Sequence, residues 1–186
     1  MAYAERSIAM HEAPQAREAA DDIFTMPAVE KQVYRGGMAR LAAAVNVITS
    51  TGEEGWCGFT ASAVTSVTDS PATLLVCVHR QVQAHKTLST NRVLCVNTVG
   101  GPHEELAMMF AGGIKDMSER FAAGTWTTLV TGSPVLESAA VAFDCRVVRI
   151  VDGATHDVFF CEVLAVREGP GTEALVYHAR KFHRLA

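Results

Sequence analysis

Residues 58–78 read GFTASAVTSVTDSPATLLVCV, and the assignment of this stretch decides the fold. Its second half, Ala72-Thr73-Leu74-Leu75-Val76-Cys77-Val78, is a short apolar run suited to a buried strand. The first half carries hydroxyls at Thr60, Ser62, Thr65, Ser66 and Thr68, almost every other position, between apolar flanks. A buried hydroxyl without a partner is costly. These groups therefore either satisfy the protein's own backbone or face a bound molecule. Between the halves, Thr68-Asp69-Ser70-Pro71 has the composition of a turn.

Working upstream, residues 45–51 read as a strand, Gly52-Glu53-Glu54-Gly55 as a turn, and residues 56–60 as the returning strand of a hairpin. Before them, Pro27 is placed to start a helix whose face carries Val29, Val33, Gly37 and Leu41. Residues 1–26 form a separate N-terminal tail, with a short helix around residues 15–24, and residues 27–186 form one domain. Downstream, residues 84–90 read as a short helix and 93–99 as a strand. Gly100-Gly101-Pro102 opens a helix to Phe110, with Glu104 and Glu105 near its N-terminus. Residues 111–134 are loop-rich and hold Arg120, Phe121 and Trp126. The sharper reading of Arg120 and Phe121 is a lid over a site, against a solvated Arg and a loop anchor. Residues 140–151 place Val141, Phe143, Cys145 and Val147 on one face of a strand. Asp152-Gly153 turns into a second long strand at 156–167, and residues 175–177 are the last. Six or seven strands with few short helices and hairpin-like links predict an antiparallel barrel of mainly β class. Strands do not alternate with helices as in a doubly wound nucleotide fold.

The totals suit such a domain. The chain has 186 residues, 49% hydrophobic and 19% charged, which is too apolar for disorder. A net charge of −4 supplies neither the basic patch of a nucleic-acid binder nor a polybasic membrane footprint. No apolar run has signal-peptide or bilayer-spanning character, so a soluble cytoplasmic protein is expected. Cys57, Cys77, Cys95, Cys145 and Cys161 show no CxxC spacing and lie in or beside apolar runs. They read as reduced, buried, small hydrophobes.

Most chemical signatures are missing from the sequence. There is no G-x-G-x-x-G after a strand, no phosphate-binding G-x-x-x-x-G-K-[ST], and no G-x-S-x-G nucleophile elbow. The histidine pairs His79/His85 and His178/His183 lack the i,i+4 spacing of a zinc protease helix, so no metal site is expected. His156 stands out because Gly153-Ala154-Thr155-His156 delivers it to the mouth of an apolar strand. There a His can titrate, donate or stack.

The ordered set 41–49, LAAAVNVIT, then 58–68, GFTASAVTSVT, then Leu94-Cys95-Val96-Asn97, then Gly153-Ala154-Thr155-His156 resembles the short-chain flavin reductase family. These are the small reductase components of two-component flavin-dependent monooxygenases. Within the family the chain looks closest to the 4-hydroxyphenylacetate and pyrimidine-utilisation reductase components. The resemblance implies a flavin reductase-like, FMN-binding split β-barrel that forms a homodimer. It also implies NADH or NADPH reducing FAD or FMN, with diffusible reduced flavin passing to a partner monooxygenase. Carried over by position, Thr60, Ala61, Ser62, Ser66, Val67 and Thr68 would meet the flavin ring and ribityl chain. Val45 and Asn46 would border the pocket, and Asn97 would lie near the flavin tail. His156 would stand by the nicotinamide as the catalytic residue. At the phosphate end, relatives often carry a hydroxyl before the helix, after an Asn. Here that stretch contains His79, Gln83 and Ala84, with His79 in place of Asn. Arg80, Gln81, Gln83 and Lys86 are the candidate replacement donors. Two other functions remain open from sequence: a module that retains its flavin, and a reductase of another acceptor such as a corrinoid or ferric complex.

Overall fold

The computed structural model describes residues 23–171 and 173–186. The chain forms two compact units that divide between Met38 and Ala39. In the first, helix α1 (Lys31–Met38) starts where the Tyr34 N–H donates to the Glu30 carbonyl (3.0 Å). The helix therefore begins after Glu30 rather than at Pro27, consistent with an acid at a helix N-terminus. It stops short of Leu41, because Gly36 and Gly37 weaken its final turn. The tail helix expected at residues 15–24 falls almost wholly outside the described residues.

The second unit is mainly β. Its principal sheet contains β2 (Asn46–Gly52), β3 (Gly55–Ala61), β4 (Val64–Asp69), β5 (Ala72–His79), β6 (Val93–Thr98), β9 (Val141–Gly153) and β10 (His156–Glu168). Their order is β3-β2-β6-β9-β10-β5-β4, with every neighbouring pair antiparallel. β3 and β4 are the two edges of this sheet, yet only Ser62 and Ala63 separate them in the chain. The Cys77 N–H donates to the Ala63 carbonyl (3.0 Å), so the sheet coils until its edges approach. Among the described residues those edges are not paired with each other, and the barrel is split there. A second sheet contains β1 (Ala43–Ala44), β11 (Ala174–His178) and β12 (Lys181–Leu185). A two-stranded ladder pairs β7 (Trp126–Thr128) with β8 (Pro134–Leu136).

Two apolar clusters meet across β2. Val47 and Ile48 point to opposite faces of this strand and both are fully buried, which explains its unbroken apolar run. Ile48 belongs to the barrel interior with Val76, Val78, Leu94, Val96 and Phe159, and Leu88 of helix α2 (Ala84–Asn91) closes that interior. Val47 belongs to the outer cluster, with Leu106, Phe110, Phe121, Leu136 and Leu175. Gly58 permits the close fit of that outer layer. A Cβ there would stand 2.7 Å from the Ile48 carbonyl oxygen and 3.0 Å from the Phe110 ring.

The structure corrects three further sequence expectations. Residues 100–113 form a 3-10 turn (Gly101–His103), helix α3 (Glu104–Met108) and a π turn (Met109–Gly113) rather than one helix. The region read as loop contains helix α4 (Met117–Ala122), whose Asp116 cap accepts from the Ser118 and Glu119 N–H groups. β12 follows the strand expected to be last. Its apolar alternation is weak because Phe182 is its only partly covered residue.

Candidate functional site

The two halves of the opening stretch have different fates. Thr60 donates its hydroxyl to the Ala107 carbonyl at 2.6 Å, tying the end of β3 to α3. Ser62 is exposed, and its hydroxyl has no hydrogen-bond partner among the described residues. Ser66, Val67 and Thr68 lie on edge strand β4, which is open along nearly its whole length. Val67 is the extra residue of a bulge between Ser66 and Thr68, paired opposite Leu74 and Thr73. Such a bulge bends an edge strand and re-aims its side chains. Thr68 Oγ1 accepts from the Ser70 N–H in the following turn (3.2 Å).

A cavity of about 730 Å³ opens beside Val45, Thr60, Ala61 and Ser62. Glu104, Met108 and Ala111 form its second wall, so the Thr60–Ala107 bond holds two walls in register. The β11–β12 hairpin forms the third. Tyr177 and Phe182 meet there with ring centroids 5.4 Å apart, and Arg180 and Lys181 stand at the rim. Ala179 and Arg180 both have left-handed backbone (φ 50° and 63°), the signature of a tight two-residue hairpin. Neither side chain belongs to the residue types that adopt this conformation readily, at a cost of about 1–2 kcal/mol per residue. Glu104 is paired with Arg184 at 3.2 Å. Arg180 and Lys181 have no acidic partner among the described residues, which leaves two uncompensated cations at the cavity mouth.

His79 and His156 are brought together. They are directly paired across β5 and β10, and their rings meet edge to face at 4.7 Å. His156 is exposed, with Nδ1 3.0 Å from the Thr155 hydroxyl. His79 Nδ1 accepts from the Gln81 N–H (3.1 Å), which places a proton of the neutral ring on Nε2. Neither histidine lines the cavity beside Ser62; His79 lies two residues beyond Cys77, whose N–H donates to the Ala63 carbonyl. Gly153 has a defined steric role in the β9–β10 hairpin. A Cβ there would lie 2.9 Å from the His156 carbonyl oxygen.

The remaining expected residues face inward or serve the fold. Asn46 is buried, donates to the Ala44 and Ala61 carbonyls and accepts from Thr98. It braces the cavity wall from behind. Asn97 is fully buried. Its amide donates to the Val47 and Pro134 carbonyls and Thr49, and its oxygen accepts from the Leu136 N–H (2.7 Å). Ala84 is buried in the barrel core, whereas Gln83 is exposed at the start of α2.

Sequence reading missed the ion-pair cluster beside the histidines. Arg80 places Nε and Nη2 on Asp157 Oδ1 (3.0 and 2.6 Å), and Nη2 also reaches Asp152 (2.8 Å). His85 Nε2 lies 2.7 Å from the other Asp157 oxygen. Hydrogen bonds from Arg80 hold both carboxyls below the usual carboxylate range, and the carboxylates raise the guanidinium in turn. Arg80 is therefore engaged by two carboxylates of the protein, while its side chain stays 41% exposed. Arg120 is likewise neither solvated nor part of a lid. It is buried, donates to the Ile114 and Gly58 carbonyls (2.6 and 3.3 Å) and stands over the Phe110 ring.

All five cysteines are unpaired. Burial raises Cys57, Cys95 and Cys145 and pushes Cys161 up to about 12, so these thiols are poor nucleophiles. No group of three or more potential metal ligands occurs among the described residues. No described helix is long and apolar enough to cross a membrane.

A coiled, split antiparallel sheet with a cavity at the β3–β4 crossing defines a split-barrel binding protein. The chain belongs to the flavin reductase-like domain family, whose model matches residues 38–186. It is 52% identical over 160 residues to a protein of Ancylobacter novellus named FMN reductase (NADH) RutF, covering 86% of this chain and 88% of the relative. Its structure resembles a crystal structure described as a flavin reductase from Haemophilus somnus 129pt. That match has 43% identity and a TM-score of 0.82, and covers 84% of this chain and 100% of the other. It also resembles BorF, the flavin reductase component of a bacterial two-component tryptophan halogenase. Here identity is 26%, the TM-score is 0.77, and coverage is 84% and 98%.

Proposed function

We propose that this flavin reductase uses NADH to reduce FMN and releases the reduced flavin to a partner monooxygenase. The cavity beside residues 60–62 carries the reading. Its 730 Å³ falls within the usual range for small-molecule sites, about 300–1,000 Å³. Its walls combine the apolar Val45 and Met108, the free hydroxyl of Ser62, the aromatic pair Tyr177 and Phe182, and two cations. That donor set fits a planar heteroaromatic ring with a polar, phosphorylated tail. When bound, the flavin supplies the hydride-accepting chemistry. The A. novellus relative, by its name, acts on FMN with NADH, and BorF works as one half of a two-component system.

The chain's own residues bind, orient and shield. Residues 60–62 present backbone and the Ser62 hydroxyl to the ring edge. Ser66, Val67 and Thr68 offer a second, open rim on β4. Arg180 and Lys181 attract the phosphate. His156, backed by His79, presents its ring to the nicotinamide from the β10 mouth and holds it in place. Asn46 and Asn97 act through the fold, by bracing the strands that carry the cavity. The chain works as a homodimer, since open edge β4 leaves Val67 and its neighbours for a second copy to cover. Its five unpaired cysteines suit a reducing compartment such as the cytoplasm.

The test is NADH consumption with free FMN in excess, followed by stopped-flow reduction. Many turnovers per protein are expected. A single stoichiometric reduction would instead identify a module that retains its flavin. His156→Ala is expected to slow reduction on the order of tenfold or more while flavin affinity changes little. An unchanged reduction rate would remove His156 from the site.

A further inference from the structure

The strongest cluster left unused by that reading is the ion-pair group behind the two histidines. Arg80 follows His79 directly, and Asp157 follows His156 directly. One guanidinium thus joins the residues next to both rings. Its backbone takes part as well, since the Arg80 N–H donates to the Thr155 carbonyl (3.1 Å). Asp152, on the opposite arm of the β9–β10 hairpin, receives the same guanidinium (2.8 Å). Asp152 Oδ1 also accepts from the Ala154 N–H (2.7 Å), where the turn runs left-handed (φ 69°). Arg80 therefore spans the hairpin turn and pins it to the loop that leaves β5. His85 completes the group from helix α2, through Asp157 Oδ2.

Side chains alternate across a strand, so His156 and Asp157 point to opposite faces of β10. Asp157 consequently does not compete with His156 for a ligand. It anchors the strand mouth from beneath while His156 stays exposed. The His79 ring is fixed from two sides, by the Gln81 N–H and by the edge-to-face contact with His156. The relative placement of the two rings follows that of the hairpin and the loop that carry them, which the Arg80 clamp ties together.

We propose that Arg80 and Asp157 are positioning residues that hold His79 and His156 in one mutual orientation for the flavin reduction. This rests on the function proposed above for His156. Neither residue touches substrate, and both act through the imidazole pair.

Two measurements test this on the full-length chain. The first needs no flavin or NADH: side-chain imidazole ¹H–¹⁵N spectra and cross-ring nuclear Overhauser contacts of the ligand-free protein. Arg80→Met is expected to abolish or strongly weaken the His79–His156 contact and to shift both ring signals. Asp157→Asn, which keeps the side chain's shape, is expected to do the same to a smaller extent and serves if Arg80→Met fails to fold. An intact cross-ring contact in a folded variant overturns the proposal. The second measurement is a double-mutant cycle on the stopped-flow rate. Arg80→Met is expected to slow reduction about tenfold in the wild-type background and less than about twofold in His156→Ala. Equal losses in both backgrounds, or no loss in either, overturn the proposal. If the wild-type protein does not reduce flavin at all, the functional reading fails, and the spectra still decide whether the clamp orients the pair.

Discussion

Replacing Thr60 by valine keeps the side-chain shape and removes one hydroxyl, which makes it a sharp probe of what the hydroxyl-rich stretch is for. In the structure that hydroxyl donates to the Ala107 carbonyl at 2.6 Å and joins two walls of the cavity. A net hydrogen bond of this kind is worth about 0.5–1.5 kcal/mol, and a poorly satisfied carbonyl adds to the loss. The expected destabilisation is about 1–2 kcal/mol. For a domain of this size each kcal/mol lowers Tm by roughly 2–4 °C, so the shift should be about 2–8 °C. Flavin affinity should change by less than about threefold, because the bond is internal. Ser62→Ala is the control, since its hydroxyl has no internal partner. Its stability should stay within about 0.5 kcal/mol of wild type. Its dissociation constant for FMN should rise roughly 2- to 12-fold, the equivalent of one lost hydrogen bond. Thermal unfolding and flavin titration on the same samples give all four numbers. An unchanged Tm with weakened flavin binding in Thr60→Val would refute the reasoning, because the hydroxyl would then serve the ligand.

Two further outcomes follow from charge. Replacing Arg180 and Lys181 together by Gln should weaken FMN binding about 3- to 10-fold at low salt, with the difference shrinking near 1 M salt as screening reaches about 3 Å; riboflavin, which lacks the phosphate, should show no difference at either salt. Asp152 and Asp157 have folded pKa values below the ordinary carboxylate value of about 3.9, chiefly through Arg80. Their stabilisation is full above that value and fades as pH falls through the lower folded values. Asp157→Asn should therefore be less stable than wild type at neutral pH, with the gap closing only below about pH 3.9, as read by denaturant midpoints across pH.

Much of the fold is legible from local pattern. The 45–61 hairpin is announced by its Gly-Glu-Glu-Gly turn, and the 141–168 hairpin by Asp152-Gly153 between two alternating strands. The glycine of the Gly153 to His156 element proves to be a steric requirement of that turn. Other elements are hidden for identifiable reasons. Helix α4 has one polar cap and little periodicity. β12 is polar and mostly exposed, so its pairing with β11 comes from the tight turn at Ala179-Arg180.

The amino-acid order alone determined the 45–61 and 141–168 hairpins, placed His156 at a strand mouth, and left the hydroxyls of residues 60–68 to serve either the backbone or a ligand. Those features depend on neighbours a few residues apart. Only the tertiary structure decided which polar groups remain free. Thr60 is spent on Ala107, Asn97 on Val47 and Leu136, and Arg80 on Asp157. Each of those partners lies dozens of residues away, where no local spacing reveals it. The same folding leaves Ser62, Arg180 and Lys181 without partners among the described residues. A buried polar group must find a hydrogen bond wherever the chain supplies one, so the groups left over for a ligand are known only once the distant strands have met.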